Sequence, residues 1–323
     1  MNTIEITNLT KKFDNLVAVD NISLTIKKGE IFGLLGPNGA GKTTTLMMLS
    51  SLIKPTSGSA IVNGFDVLTQ SSKVRASIGM VFQDPSSDEV LTGYENLKLH
   101  ALMYDVPMRL INDKIDAVLS LVDMEKRKND VVKKYSGGMR RRMEIARGLL
   151  HEPEILFLDE PTLGLDPQTR EHIWKYIELL AGETGMTIIL TTHYMEEADK
   201  LCDRVAIIDH GKIIALDSPE NLKNMMGGDI VTLKGNNLNK DKLKLLPFVL
   251  KIEDTENGLK LSAENSGKNL QELLSVAGES DFVEVHSPDL NDVFIHFTGE
   301  EIRDEKGSLI EHIRTYTRAT KNK

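Results

Sequence analysis

Gly36-Pro37-Asn38-Gly39-Ala40-Gly41-Lys42-Thr43 sets glycines, a lysine and a threonine at the GxxxxGK[ST] spacing, after the strand-like run Glu30–Leu35 and before a helical run, Lys42–Leu52. That spacing lets successive main-chain N–H groups curl around phosphate oxygens, with the helix N-terminus adding partial positive charge. Lys42 is placed to reach β- and γ-phosphates and Thr43 to ligate magnesium. Thr44, next in the chain, completes the candidate nucleotide-binding run. A second set of groups fits the same chemistry. The apolar run Ile155-Leu156-Phe157-Leu158 ends at Asp159-Glu160, where a buried strand delivers two acids at its carboxyl end. Asp159 is the candidate for the magnesium shell, and Glu160 for the general base that polarises an attacking water. A third feature is Ser136-Gly137-Gly138, which opens a helix with two consecutive glycines. A serine cap explains Ser136, but paired glycines weaken a helix start unless something must approach the backbone closely, and an anion is the obvious candidate.

These groups need a scaffold that brings strand ends together. Strand-like and helical runs alternate to about residue 220, which predicts an α/β core with a largely parallel sheet. Between Asp84 and Lys134 the strand signal stops and Leu97, Leu102, Ile111, Ile115, Val118 and Leu119 recur at helical spacing, predicting a helical insertion over about 84–135. Thr92 with Glu95 forms a capping-box pattern for its first helix. Ser218-Pro219-Glu220 reads as a helix start and Gly227-Gly228 as a chain break, giving a nucleotide-binding domain over 1–227. Residues 228–299 read as a small α+β domain and 300–323 as a polar tail.

Composition narrows the partners. The 323 residues are 40% hydrophobic and 27% charged, as in a globular protein, and 39 basic against 48 acidic residues give a net charge of −9. That balance argues against a general electrostatic grip on nucleic acid or anionic lipid, so an anionic ligand must be held locally, and Arg140, Arg141 and Arg142 read as one solvated basic turn. The one cysteine, Cys202, has no internal disulfide partner, and the first residues lack a secretory pattern, which together suggest the cytoplasm. The apolar runs are strand-length, so work at a membrane would need another chain to cross it.

The order of residues 36–43, Gln83 after a strand, Ser136-Gly137-Gly138, residues 155–160, Leu163-Gly164-Leu165-Asp166 and His193 resembles the ATP-binding subunits of ABC transporters over residues 2–225. Tyr135 to Arg142, Glu160 to Arg170 and the late Leu290-Asn291-Asp292-Val293-Phe294-Ile295-His296 resemble the daunorubicin-resistance type of exporter subunit, to about Gly299. The resemblance implies an α/β P-loop NTPase core of the ABC ATPase type, with a helical subdomain and a small C-terminal α+β domain. It further implies that Phe13 stacks on adenine and Val19 packs beside the nucleotide. Gln83 would bind magnesium and the attacking water, and His193 the γ-phosphate. Ser136, Gly137 and Gly138 would close over a nucleotide held by a second subunit, with Asp166 connecting the two sites.

The chain departs from the commonest superfamily pattern with Met139 for Gln, Tyr135 for Leu, Leu163 for Ser and Phe13 for Tyr. A phenyl face still stacks, whereas losing the Gln amide removes polar contacts to nucleotide. The expected function is an ATPase subunit of an exporter, using ATP and magnesium, dimerising with a second copy and driving a separate permease. It would sit at the cytoplasmic face of the cell membrane, touching the permease through Pro85–Leu97. The competing readings are a soluble ABC-type nucleotide switch acting on ribosomes or DNA, and an importer subunit.

Overall fold

The computed structural model describes residues 2–235 and 237–298. They pack as two units that divide between Leu216 and Asp217.

In the first unit, β1 (Asn2–Phe13) and β2 (Leu16–Lys27) form an antiparallel hairpin, extended by β4 (Ser57–Val62) and β5 (Phe65–Asp66) in the order β2-β1-β4-β5. The sequence reading did not anticipate this sheet. The second sheet contains β3 (Ile31–Leu35), β6 (Ile78–Val81), β7 (Ile155–Asp159), β8 (Thr187–Thr192), β9 (Arg204–Asp209) and β10 (Lys212–Asp217), in the order β10-β9-β3-β8-β7-β6. β9, β3, β8, β7 and β6 run parallel. β3, β7 and β8 are buried along their whole length, which is why they read as continuous apolar or β-branched runs. Parallel pairing puts the residues after β3, β8, β7 and β6 along one edge, the place where open α/β sheets bind ligands.

Helices α1 (Lys42–Leu49) and α2 (Ser71–Ser77) follow β3 and precede β6 respectively. The helical insertion comprises α3 (Gly93–Met103) and α4 (Ile111–Leu121), and α5 (Gly137–Leu149) follows it. The Thr92 hydroxyl accepts the Glu95 N–H while the Glu95 carboxylate accepts the Thr92 N–H, so α3 starts with a complete capping box. α6 (Pro167–Thr184) and α7 (Met195–Leu201) complete the unit, whose core joins both sheets through Ile4, Leu9, Phe32, Leu46, Phe157 and Ile189.

The second unit runs α8 (Pro219–Asn224), β11 (Asp229–Lys234), α9 (Lys240–Leu243), β12 (Val249–Thr255), β13 (Gly258–Ala263), α10 (Ser266–Ala277), β14 (Phe282–His286) and α11 (Leu290–Thr298). Its antiparallel sheet, ordered β12-β13-β11-β14, has the βαββαβ order of ferredoxin-like domains. Val231, Leu233, Leu243, Leu259, Leu261 and Leu273 form a separate core. The boundary lies earlier than the expected Gly227-Gly228, because α8, capped by Ser218 with Pro219 at its first turn, packs on α11. The Leu290–His296 segment is the body of α11. Its Asp292 carboxylate accepts from Lys260 Nζ at 2.8 Å and lies 2.9 Å from His286 Nε2, tying the helix to the sheet. The expected polar tail lies outside the described residues. Among the described residues no helix is long and apolar enough to cross a membrane.

Candidate ATP-hydrolysis site

The loop after β3 turns into α1 through Gly41, whose φ of +103° is open to glycine and whose Cα lies so close to Ala18 that a Cβ would stand 2.3 Å from its carbonyl oxygen. Gly41 is also the N-cap of α1, with no side chain to cap the first turn. The N–H groups there are thus directed toward an outside acceptor. The buried Thr44 hydroxyl has no hydrogen-bond partner, which fits the same outside acceptor. Lys42, 5% exposed, donates to Gly36 O at 2.7 Å and Pro37 O at 3.1 Å and pairs with Glu160 Oε1 at 3.1 Å. The tips of the loop, Asn38 and Gly39, are exposed, while Ala40 is buried.

At the end of β7, Asp159 Oδ1 accepts from Thr43 Oγ1 at 3.0 Å and from Thr191 Oγ1 at 2.6 Å. Burial raises the Asp159 carboxyl above its usual range, and the Glu160 charge adds to this, against the two threonine hydrogen bonds and Lys42. Adjacent Thr43 and Asp159 oxygens are the donor type a hard divalent cation takes, so the residues fit magnesium.

Glu160 occupies a left-handed backbone conformation, φ +48°, which costs a non-glycine residue about 1–3 kcal/mol and persists only where neighbours over-determine it. Its N–H donates to Thr191 O at 3.2 Å and Thr191 Oγ1 at 3.0 Å. The turn aims its carboxylate between Lys42 and His193, whose Nδ1 lies 2.7 Å from Oε2. Burial pushes the Glu160 carboxyl up, but the His193 hydrogen bond and the Lys42 charge outweigh it, and the net shift is downward. Direct bonds thus join Lys42, Thr43, Asp159, Glu160 and His193. The pairing of His193 with Glu160 was not legible in the sequence, nor was Thr191, whose only signal is a threonine pair at the carboxyl end of a buried strand.

Gln83, half-buried, follows the end of β6 by two residues. Val19, 1% exposed, packs beside Gly41, and Phe13, half-buried at the end of β1, carries the Lys11 ammonium 4.8 Å from its ring centre. Exposed Ser136 caps its own helix, accepting from Met139 N at 3.3 Å. Gly138 backs onto the first turn of α6, where a Cβ would meet Thr169 Cγ2 at 2.4 Å. Exposed Asp166 caps α6, accepting from Thr169 N at 3.0 Å and Thr169 Oγ1 at 2.6 Å, and these bonds hold its carboxyl below the usual range. Ser136 and Asp166 are thus bonded within their own helix starts rather than into the Lys42 cluster. Tyr135 fills its position with a hydroxyl that donates to Arg127 O at 2.8 Å.

The three arginines do not form a solvated turn. Arg140 pairs with Glu89 at 2.6 Å, Arg142 donates to Val122 O at 3.2 Å, and Arg141 is buried against the β7 and β6 strand ends. Three consecutive helical residues point about 100° apart, so one of them had to turn inward. Another buried link lies behind the site: Glu197 Oε1 accepts from Thr162 Oγ1 at 2.7 Å and from Trp174 Nε1 at 2.9 Å.

A parallel sheet edge presenting this phosphate loop and paired acids defines a P-loop nucleotide hydrolase. The sequence profile of the ABC transporter family matches residues 19–163. The linearmycin resistance ATP-binding protein LnrL of Bacillus subtilis is 38% identical over 307 residues, 92% of this chain and 98% of that one. A Nod factor export ATP-binding protein I of Cupriavidus pinatubonensis is 36% identical over 307 residues, 93% of this chain and 92% of its own. Among solved structures, cbiO1 from Clostridium perfringens, part of an ABC transporter complex, superposes with a TM-score of 0.64 at 30% identity, covering 70% of this chain and 93% of that one. A dimeric ATP-binding cassette in a post-hydrolysis state with ADP and Pi gives 0.61 at 28% identity, covering 67% and 98%. The chain belongs to the ABC transporter ATP-binding family, and it is an ATP-binding, ATP-hydrolysing subunit.

Proposed function

We propose that two copies of this chain close head to tail around two ATP molecules and that closure drives separate permease subunits of an exporter. The observation that carries the reading is the division of the site. Lys42 and His193 are both bonded to Glu160, whereas Ser136, Gly137 and Asp166 lie exposed, with the Ser136 and Asp166 side chains capping their own helices. Each chain therefore offers a second copy a capped helix start to lay over its nucleotide. Relatives named for linearmycin resistance and Nod factor export favour export over import. Val90, Leu99, Leu102, Met103 and Met108, exposed around the helical insertion, supply an apolar surface for a permease, which would hold the chain at the cytoplasmic face of the membrane.

The residues then divide the chemistry. Lys42 exchanges its bond to Glu160 for the γ-phosphate, releasing Oε1 to accept a water proton while His193 holds Oε2. Thr43, Asp159 and Gln83 would hold magnesium, which would supply positive charge to offset that of the phosphates. Phe13 stacks on adenine beside Val19. Positioning and charge stabilisation supply the rate, and release of phosphate removes the contacts that favour the closed pair.

The test is purification of a tagged Glu160→Gln chain from membranes with ATP and magnesium. A second copy and a multi-span protein should be retained. Ribosomes or nucleic acid in their place, with no membrane protein, would overturn the transport assignment.

A further inference from the structure

Arg141 lies in the first turns of α5, the helix that begins at Ser136-Gly137-Gly138, and it is buried. A guanidinium carries five N–H donors in a rigid fork, so its place is set by what they reach. Nε donates to Pro161 O at 2.7 Å, and the two terminal nitrogens to Asp159 O at 2.7 Å and Phe82 O at 2.5 Å. Asp159 and Pro161 are the two neighbours of Glu160, and Phe82 immediately precedes Gln83. Burial lowers the Arg141 pKa to about 10, against the surrounding charges of Asp159, Glu144, Glu197 and Glu160, so it stays charged at neutral pH.

Glu160 needs such a bracket because of its left-handed backbone. From β8, Thr191 takes the Glu160 N–H on two oxygens. From α5, Arg141 fixes the carbonyls before and after it. We propose that Arg141 is a positioning residue for hydrolysis: it pins the Glu160 turn and the residue before Gln83 to the helix that starts at Ser136, so that the three move as one piece. The inference rests on the assignment of Glu160 as the group that accepts the water proton.

The consequence falls on turnover rather than on ATP binding, since Lys42, Thr43 and Thr44 belong to another element, the first turn of α1. Lysine cannot replace arginine here, because one ammonium cannot span three carbonyls. Glutamine has two amide hydrogens and can satisfy at most two.

The experiment uses the purified full-length chain and compares the parent with Arg141→Lys, Arg141→Gln, Glu160→Gln and, on the same helix, Arg142→Gln. Affinity is read with a fluorescent ATP analogue and turnover as kcat and KM. Arg141→Lys should bind within about twofold of the parent, keep its KM and lose at least about tenfold in kcat. Arg141→Gln should fall between the two, with its loss likewise in kcat rather than in KM. A folded Arg141→Lys with kcat within about twofold of the parent, or with its loss confined to ATP affinity, overturns the proposal. Unfolding of both Arg141 variants beside a folded Arg142→Gln overturns it too, by making Arg141 a residue of the fold alone. Parent-level turnover in Glu160→Gln defeats the assignment of the base instead, so the two failures are separable.

Discussion

Glu160 is held by two cationic or hydrogen-bonding partners, one per carboxylate oxygen, and each predicts a measurement. Replacing it with Gln keeps the shape and a bond to Lys42 but removes the proton acceptor. ATP affinity should stay within about twofold while turnover falls by roughly 10²–10⁴. Replacing His193 with Ala removes the first of the two opposing effects that hold the Glu160 carboxyl down. Its pKa then rises toward the value burial alone would give, so the acid limb of the pH–rate profile shifts to higher pH. An unchanged limb would show that Lys42 suffices. The same depressed carboxyl contributes stability above its unfolded value, which is lost as pH falls through the folded one. At this scale the sequence was informative about Lys42, Thr43, Asp159 and Glu160, whose spacing is dictated by a local loop or strand end. It was silent about Arg141, because a run of three arginines says nothing about which one the helix turns inward.

Among elements, α5 fits tightly against the first turn of α6. A methyl group at position 138 must displace Thr169 Cγ2, and Thr169 is pinned through its hydroxyl to Asp166. Gly138→Ala should cost about 1–3 kcal/mol, and Thr169→Ser, which deletes the methyl and keeps the hydroxyl, should restore most of it in the double variant by chemical denaturation. The end of α3 makes a pH prediction. Burial, reinforced by the charges of Arg147 and His151, lowers His100 to about 4, beside Tyr104 stacked at 4.0 Å on His151. A histidine with a depressed folded pKa gives its full stability above about 6.5 and loses it as pH falls toward 4, because folding then resists a proton that the unfolded chain accepts. The melting temperature of His100→Phe should therefore fall less than the parent's between pH 7 and pH 5. Elements with an unbroken apolar run, such as β3 and β7, or a capped helical period, such as α3, were legible in the sequence. β1 and β2 were not, because register shifts between Ile6 and Leu9 and between Leu9 and Lys11, with left-handed Asn8 and Asn21, break the two-residue alternation.

Among the described residues, the core that joins both sheets of the first unit and the core of the second unit share no residue. Calorimetry should resolve two transitions, and ATP with magnesium, added to Glu160→Gln at about 100 times its Kd, should raise only the first, by roughly 5–10 °C. A single transition shifted as a block would mean that the units unfold together. The structural division falls earlier than Gly227-Gly228, at the end of β10, because the double glycine is the louder break in the sequence whereas Ser218-Pro219 there reads only as a helix start. One feature behind the site makes such experiments easier. The chain has a single tryptophan, Trp174, whose indole N–H is tied through Glu197 to Thr162, three residues beyond Asp159. Its intrinsic emission therefore reports from one known place in α6, the helix capped by Asp166, and nucleotide-driven changes can be followed in real time without attaching a dye.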